Sequence, residues 1–263
     1  MTYVFREGTT PLLVSIPHAG LEVPDAIAGR LTQKARELGD TDWHIPQLYD
    51  FLEGLGASVL AATQSRYVID LNRPPDGATL YPGQATTGLA PTTTFDGEPL
   101  YLVGAEPDEK EIEARVDAYW KPYHAKLQDA LENLKRQYGY ALLWDAHSIR
   151  SRVPRLFDGG LPDMNFGTNE GDSCDTKLTK RILAVAEDVT DFTHVLNGRF
   201  KGGFITRNYG NPDRDVHAIQ LELSQATYMD ETPPYDFRPE KAARIQPVLK
   251  HLLETILDWK PSG

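Results

Sequence analysis

Short apolar segments alternate with longer stretches of helical periodicity along this chain, and the alternation predicts an α/β protein. Short apolar runs bounded by turn residues are typical of strands. We expect helices to cover a mixed, mainly parallel sheet. The predicted strands are residues 12–16, 57–61, 67–71, 141–144 and 218–223.

The clearest helical pattern begins near Asp108, which can cap the helix while the side chain of Glu111 reaches back to it. Pro122 lies inside this pattern and predicts a kink. Another helix opens at Pro239, and residues 180–187 indicate one more. The apolar faces of these helices indicate packing on a core rather than a binding site.

Two long polar stretches, residues 74–104 and 151–173, interrupt the alternation and are rich in Gly, Pro, Thr, Asp and Asn. Long loops inside a compact domain tend to be functional. We therefore predict that both stretches form walls or lids of a pocket.

Composition narrows the class of protein. With 263 residues, 40% hydrophobic and 25% charged, the chain fits a single domain over residues 1–263. A net charge of −11 and the lack of a Lys/Arg stripe exclude nucleic acid as an expected partner. We find neither a secretion signal nor an apolar stretch of ~20 residues, so no membrane is expected and a cytoplasmic enzyme fits best. Cys174 is the only cysteine, which excludes an internal disulfide and a thiolate metal cluster.

Two histidines follow apolar segments that we predict to be strands. His18 ends Val-Ser-Ile-Pro-His, and His147 follows Leu-Leu-Trp-Asp-Ala. Ligand-binding groups in α/β sheets lie at the carboxyl ends of strands. Asp145 points the same way as His147 in an extended segment, so its carboxylate can orient the imidazole. A lone histidine is more often a surface or turn residue, but two in one sheet favour a metal site.

A catalytic zinc takes three protein ligands and a water molecule, so a third ligand is needed. Asp42, in Asp-Thr-Asp-Trp-His at the start of a predicted helix, is the preferred acidic candidate. Glu22, close to His18 in sequence, is the rival. The alternative for Asp42 is a helix cap, which is a frequent use of aspartate.

Polar residues also mark the predicted strand 67–71. Arg66, Asp70 and Asn72 alternate with apolar residues, which places them on one strand face. A polar inner face suggests a ligand, and arginine binds carboxylates through two parallel hydrogen bonds. Arg66 and Arg73 are therefore candidate ligands of an acidic substrate. A salt bridge between Arg66 and Asp70 on an edge strand explains the pattern equally well.

Two further segments carry candidate residues. The segment with Gly202, Gly203 and Arg207 suits close backbone approach to a small ligand, or a hairpin turn. Glu222 interrupts an apolar strand in phase with Gln220, and a carboxylate in a central strand is costly to bury unless it is paired or in use. Glu222 is therefore our candidate general base, and the alternative is a carboxylate on a solvated sheet face.

The motifs occur in a fixed order between about residues 11 and 229. They are Ser-Ile-Pro-His18-Ala-Gly, Asp42-Trp, Ser-Arg66-Tyr-Val-Ile-Asp-Leu-Asn72-Arg73, Asp145-Ala-His147-Ser, Lys-Gly-Gly-Phe-Ile-Thr-Arg207-Asn-Tyr-Gly and Gln-Leu-Glu222-Leu-Ser. In combination they resemble the N-formylglutamate amidohydrolase family. That family is related to the zinc carboxypeptidases and aspartoacylase, which implies a zinc carboxypeptidase-like fold with a mixed, mainly parallel eight-stranded sheet.

The resemblance also implies roles for individual residues. His18 and His147 match the metal ligands, Asn72 and Arg73 match a pair that binds a substrate carboxylate, and Glu222 matches the catalytic glutamate. The implied reaction is zinc-dependent hydrolysis of N-formyl-L-glutamate to L-glutamate and formate, with a place in histidine breakdown.

One departure concerns the acidic ligand. The carboxypeptidase pattern has glutamate three residues after the first histidine, whereas here Leu21 holds that position and Glu22 falls one residue late. We therefore prefer Asp42, whose surroundings resemble the family more closely.

The prediction is a site with three groups of residues and one metal, zinc or another divalent ion. The nearest alternative function is a metal-dependent deacylase of another N-acyl amino acid or acidic peptide, and a more distant one is a non-catalytic dicarboxylate-binding protein without metal. The predicted metal ligands are His18, Asp42 and His147, the catalytic residues Glu222 and Arg66, and the substrate-binding residues Arg66, Asn72, Arg73 and Arg207.

Overall fold

A computed structural model of the chain describes residues 1–80, 83 and 86–261. In this part of the chain the strands are β1 (Tyr3–Arg6), β2 (Leu12–Ile16), β3 (Ser58–Ala62), β4 (Ala141–Ile149), β5 (Met164–Gly167), β6 (His194–Leu196) and β7 (Val216–Ser224). They form one sheet in the order β1-β3-β2-β4-β7-β5-β6. Strands β3, β2, β4 and β7 pair in parallel, whereas β1 and β5 run antiparallel to β3 and β7. The α/β class and the mixed, mainly parallel sheet are confirmed, with seven strands among the described residues where the resemblance implied eight.

One predicted strand is wrong. Residues 67–71 form turns, because local hydrogen bonds take the backbone groups that a strand would offer to a neighbour. The Val68 backbone N–H donates to Ser65 O at 2.9 Å, and the Asn72 backbone N–H donates to the Asp70 carboxylate at 2.9 Å. The other four predicted strands correspond to β2, β3, β4 and β7, of which β4 and β7 extend beyond the predicted residues.

The α-helices of the described residues are α1 (Asp25–Ala28), α2 (Ile45–Leu48), α3 (Glu109–Arg115), α4 (Lys121–Tyr138), α5 (Thr176–Asp188), α6 (Phe204–Tyr209) and α7 (Pro239–Leu257). The predicted helices beginning at Asp108 and Pro239 and over residues 180–187 are all present. The expected disruption near Pro122 takes the form of a π-helical turn, Val116–Trp120, between α3 and α4. None of the helices among the described residues combines the length and apolarity that crossing a membrane would need.

The cap of α3 differs in part from the prediction. The Glu111 backbone N–H donates to Asp108 Oδ1 at 2.8 Å, as expected for a capped helix. The Glu111 carboxylate does not reach back to the cap, because it forms ion pairs with Arg30 and Arg115 instead.

Helices cover both faces of the sheet. Alternate residues of β2 point to opposite faces, so Leu12 and Val14 pack in a core that includes Leu249 of α7. Leu13 packs in the other core, with Leu127 of α4. Burial on both faces explains why the central strands read as continuous apolar runs, and it leaves the carboxyl ends of β2, β4 and β7 as the place for polar groups.

Candidate active site

Three buried side chains meet at the carboxyl end of the central strands. His18 lies just beyond β2, and His147 lies near the carboxyl end of β4. The Asp42 backbone N–H donates to His18 O at 3.1 Å. Asp42 Oδ2 is 3.0 Å from His147 Nδ1 and 3.8 Å from His18 Nδ1. One ligand atom from each residue lies within 4.8 Å of the other two. The sequence thus predicted a triangle of residues that the fold brings together.

Each imidazole has a carboxylate on its far side. His18 Nε2 donates to Asp70 Oδ1 at 2.7 Å, and His147 Nε2 is 3.1 Å from Asp145 Oδ2. Carboxylates in this position orient the rings of metal-binding histidines. Both rings therefore present Nδ1 toward Asp42.

This donor set fits a divalent cation. Ligand atoms around a tetrahedral zinc, each at roughly 2.0–2.1 Å, are about 3.3 Å apart, and the two distances from Asp42 Oδ2 to the imidazole nitrogens lie on either side of this value. Asp42 Oδ1 is buried, and the described residues provide it with no hydrogen bond. Its nearest charged neighbour is Arg66, whose guanidinium is 3.6 Å away, so Oδ1 keeps lone pairs that a bound cation could use.

The surroundings shift the pKa values of the two imidazoles in opposite directions. Burial lowers the pKa of His18, with Arg66 adding to the effect. Burial acts in the same direction on His147, but Asp145 and Asp42 outweigh it and raise the pKa of His147 well above its usual range. Burial alone would raise the pKa of Asp42, yet the contact with His147 and the charge of His18 lower it. Excess negative charge around His147 is the electrostatic complement of a cation.

Glu22, the rival acidic ligand, lies elsewhere. Its exposed carboxylate accepts hydrogen bonds from Gln64 Nε2 at 2.6 Å and Thr63 Oγ1 at 3.1 Å. The geometry therefore favours Asp42 over Glu22 as the partner of the two histidines.

Glu222 lies opposite His147, because β7 pairs with β4 in that register. Burial raises the pKa of Glu222 to about 8. Gln220 Nε2 donates to Glu222 Oε2 at 3.3 Å, while Gln220 Oε1 accepts from the Gly203 backbone N–H at 2.7 Å. Since the backbone N–H can only donate, it sets which end of the Gln220 amide faces the carboxylate.

A cleft opens in front of these residues. Both long polar stretches contribute to its walls, as predicted for them, and residues 151–173 also contain β5. The lining residues are His18, Arg66, Asn72, Arg73, Thr86, Thr87, Phe95, His147, Ile149, Leu156, Arg199, Phe200, Gly203, Gln220 and Glu222.

The predicted arginines reach different places. Arg66 lines the cleft but also pairs with Asp70 at 2.7 Å and lies 3.6 Å from Asp42, so the salt bridge considered from sequence is present within the site. Arg73 lines the cleft as well, held by Thr87 O at 3.0 Å. Arg207, on α6, is not among the lining residues in the described part of the chain, and its Nε donates to Gly202 O at 2.8 Å.

The side chain of Asn72 makes its contacts within the protein. Its Oδ1 accepts from the Ile205 backbone N–H at 2.8 Å, and its Nδ2 is 2.9 Å from His147 Nε2. The close approach predicted at Gly203 is to this side chain, since a Cβ atom there would lie 2.2 Å from Asn72 Nδ2. In this arrangement Asn72 anchors the start of α6, and its predicted contact with substrate stays a prediction.

Sequence reasoning missed two residues. Asp70 was considered only as a partner of Arg66, whereas its carboxylate also bonds His18. Arg199 was not considered, although it lines the cleft beside Phe200.

The chain is similar to known proteins along most of its length. The family model described as N-formylglutamate amidohydrolase matches residues 10–229. An N-formylglutamate deformylase of Pseudomonas putida is 56% identical over 97% of this chain and 95% of its own length. Another, from Pseudomonas aeruginosa, is 55% identical over 97% and 96%.

Solved structures share the fold at low sequence identity. The crystal structure of an N-formylglutamate amidohydrolase from Ralstonia eutropha JMP134 superposes with a TM-score of 0.83 at 24% identity, covering 98% of this chain and 97% of that one. A gene product of Agrobacterium tumefaciens superposes with a TM-score of 0.70 at 17% identity, over 97% and 96%. The family model covers most of the chain and the Pseudomonas relatives cover nearly all of it, so this chain belongs to the N-formylglutamate amidohydrolase family.

Proposed function

We propose that this protein hydrolyses the formamide bond of N-formyl-L-glutamate, giving L-glutamate and formate, with a zinc ion bound by His18, Asp42 and His147. The observation that carries the proposal is the buried His-Asp-His triangle at the head of an arginine-lined cleft. The two relatives at 55–56% identity, both N-formylglutamate deformylases, support the choice of substrate.

A divalent cation at such a site supplies a water molecule of lowered pKa and polarises the scissile carbonyl. The protein's part begins with Asp70 and Asp145, which hold the two imidazoles so that Nδ1 of each faces Asp42. Asp42 contributes a carboxylate whose pKa is lowered by its contact with His147 despite its burial, so its oxygens are available as ligands.

Glu222 is the proposed general base and acid. Burial raises the pKa of its carboxyl group to about 8, so its carboxylate form is a stronger base than an exposed glutamate and is suited to take the proton that the water loses as it attacks. The same pKa makes the protonated form able to pass that proton to the departing nitrogen of glutamate. Gln220 holds Glu222 Oε2, which leaves Oε1 as the atom for proton transfer.

Two cations at the cleft have different tasks. Arg66 is held by Asp70 and lies beside Asp42, so we assign it to the end of the cleft where the formyl oxygen gains negative charge. Arg73 is assigned to a substrate carboxylate, because all three of its hydrogen bonds within the described residues go to uncharged oxygen atoms of Asn72 and Thr87.

The test is formate release from N-formyl-L-glutamate before and after chelation, with zinc and other divalent ions added back. We expect activity to disappear with the metal and to return with zinc. Comparing N-formyl- with N-acetyl-L-glutamate separates this activity from that of a deacylase with another acyl preference. A metal-free protein that binds glutamate derivatives without turnover would instead identify a dicarboxylate-binding protein.

A place in histidine breakdown rests on the family resemblance and belongs to the proposal as well.

A further inference from the structure

Three side chains of the helical segment from α3 to α4 hold residues 65–73, the turns that bring Arg66 and Asp70 to the site. Each of them donates a hydrogen bond to a backbone carbonyl oxygen of those turns. The pairs are Arg115 Nη1 with Val68 O at 2.9 Å, Trp120 Nε1 with Arg73 O at 3.0 Å, and His124 Nε2 with Leu71 O at 2.8 Å. Since these residues form turns rather than a strand, the helical donors satisfy carbonyl groups that strand pairing would otherwise use.

The π-helical turn before α4 puts the three donors on one side of the helix. In an uninterrupted α-helix, residues four apart are neighbours, as Trp120 and His124 are, whereas residues five apart point about 140° apart around the axis. Arg115 and Trp120 are five apart. The Lys121 backbone N–H donates to Val116 O, five residues back, so this turn holds one residue more than an α-helical turn. The extra residue brings Arg115 and Trp120 onto the same side.

The indole of Trp120 is held in the orientation that this contact needs. Its ring stacks on the imidazole of His124, with ring centres 3.7 Å apart, and lies 5.6 Å from the ring of Phe204. His124 is itself fixed, because Leu71 O can only accept and therefore places the imidazole proton on Nε2. The Tyr209 hydroxyl lies 2.9 Å from Nδ1 of the same ring. An indole held by two neighbouring rings presents its N–H in one direction.

Arg73 is held through its backbone as well as its side chain. Its Nε donates to Thr87 O at 3.0 Å, and its backbone N–H donates to Asp70 O at 3.3 Å. The carbonyl group of Arg73 is the one that Trp120 binds. Movement of this backbone would carry the guanidinium with it, so the indole bond helps to fix where the positive charge lies in the cleft.

We propose that Trp120 is a positioning residue for Arg73, and that the π-helical turn serves to bring the indole N–H to the Arg73 carbonyl oxygen. This inference rests on the proposed function, in which Arg73 binds a substrate carboxylate. In the described part of the chain, the hydrogen-bond and ring contacts of Trp120 are with Arg73, His124 and Phe204, and none is with a proposed metal ligand. Loss of the indole N–H should therefore weaken substrate binding and leave the metal and Glu222 in place.

The test is Trp120→Phe, which keeps an aromatic ring against His124 and removes the indole N–H. We expect the KM for N-formyl-L-glutamate to rise by about three- to tenfold, as loss of one neutral hydrogen bond allows, with kcat and zinc content nearly unchanged. In an Arg73→Met background the same substitution should add no further loss of kcat/KM, because the group that Trp120 positions is gone. Trp259→Phe is the matched control, since Trp259 is a buried tryptophan of the other core, and it should keep the wild-type KM.

Four results would overturn the inference. They are a Trp120→Phe variant with the wild-type KM, a Trp120→Phe variant that loses kcat or zinc as strongly as kcat/KM, equal losses of kcat/KM in the wild-type and Arg73→Met backgrounds, and a Trp259→Phe variant whose KM rises as much. If Trp120→Phe does not fold, Trp120→Tyr replaces it with the same expected results, because it also lacks the indole N–H and fills more of the space. If wild-type protein releases no formate from N-formyl-L-glutamate, the proposed function fails, and the inference fails with it; the four results above leave the proposed function intact.

Discussion

Glu222 faces His147 across two paired central strands, and burial raises its pKa to about 8. Replacing it with glutamine keeps the shape but removes the proton acceptor. We expect Glu222→Gln to retain zinc, measured by metal analysis, and to lose kcat by about 10²–10⁴-fold, the usual contribution of a general base. Ser224→Ala, on the same strand, is the control and should keep wild-type kcat. A Glu222→Gln protein with wild-type turnover would remove this residue from the reaction.

Gln220 gives a second test of the role of Glu222, because its amide donates a hydrogen bond to the Glu222 carboxyl group. The Gly203 backbone N–H sets the orientation of this amide. Methionine has a similar length but donates no hydrogen bond. We expect Gln220→Met to lower kcat roughly tenfold or more with little change in KM, because it removes the hydrogen bond that holds the carboxylate form of Glu222 in place.

A double-mutant cycle shows whether Gln220 acts by orienting Glu222 or whether its substitution disrupts the site in general. If Gln220 acts through Glu222, the methionine substitution adds no further loss in the Glu222→Gln background. Additive losses in the two backgrounds would show that Gln220 has a separate structural effect.

The residues of the triangle and Glu222 could be predicted because each has a local signature. His18 follows a short apolar strand, and Glu222 breaks an apolar one. Arg199 has no such signature, since its position depends on the contact of Asn197 with Thr168, far away in sequence. Asp70 was recognised only in part for a similar reason, because its bond to His18 joins segments that meet only in the folded chain.

At the scale of elements, segment 67–71 shows how alternation can mislead. The alternating polar residues do lie at one site, but the segment that carries them forms turns instead of a strand. Arg66 pairs there with Asp70, four residues further along the chain. Residues with local bonding partners compete with strand pairing, and in this segment the local bonds prevail. The short strands β1, β5 and β6 were missed because three or four residues give little periodic signal.

Helix α4 carries a buried histidine that makes folding depend on pH. Burial lowers the pKa of His124 to about 4, where its ring stacks on Trp120 and bonds Leu71 O at 2.8 Å. The unfolded chain binds the proton near pH 6.5, so it holds more protons than the folded protein between pH 6.5 and 4. The free energy of unfolding therefore falls as the pH falls through this window, by about 3 kcal/mol for this group.

Denaturant unfolding at several pH values checks this dependence. We expect the pH dependence of His124→Gln to be weaker than that of wild type by about that amount between pH 7 and pH 4. The exposed His251→Gln is the matched control and should follow the wild-type curve. Parallel curves for wild type and His124→Gln would contradict the assignment.

At the scale of the whole molecule, metal binding and stability should be linked. Asp42, Asp70 and Asp145 are all fully or almost fully buried around the two imidazoles, and a ligand that binds only the folded state stabilises it. With metal at about a thousand times its Kd, the gain is roughly 4 kcal/mol, which for a chain of this size corresponds to a Tm change on the order of 10 °C.

Thermal unfolding with and without a chelator measures that change. We expect the chelator to lower the Tm of the wild-type protein and zinc to restore it. Asp42→Asn lacks one of the three donors, so its Tm should respond little to either treatment. Zinc-loaded wild-type protein whose Tm is unaffected by chelation would show that the ion contributes nothing to the folded state.

The strand order also bears on how the protein is made. Strand β7 is the last of the described strands along the chain, yet it fills the gap between β4 and β5. Until residue 224 has left the ribosome, the facing edges of two apolar strands have no partner, and unpaired edges invite aggregation. A chain that ends before β7 therefore holds His18 and His147 without Glu222 opposite them, and we expect it to be inactive and prone to aggregate.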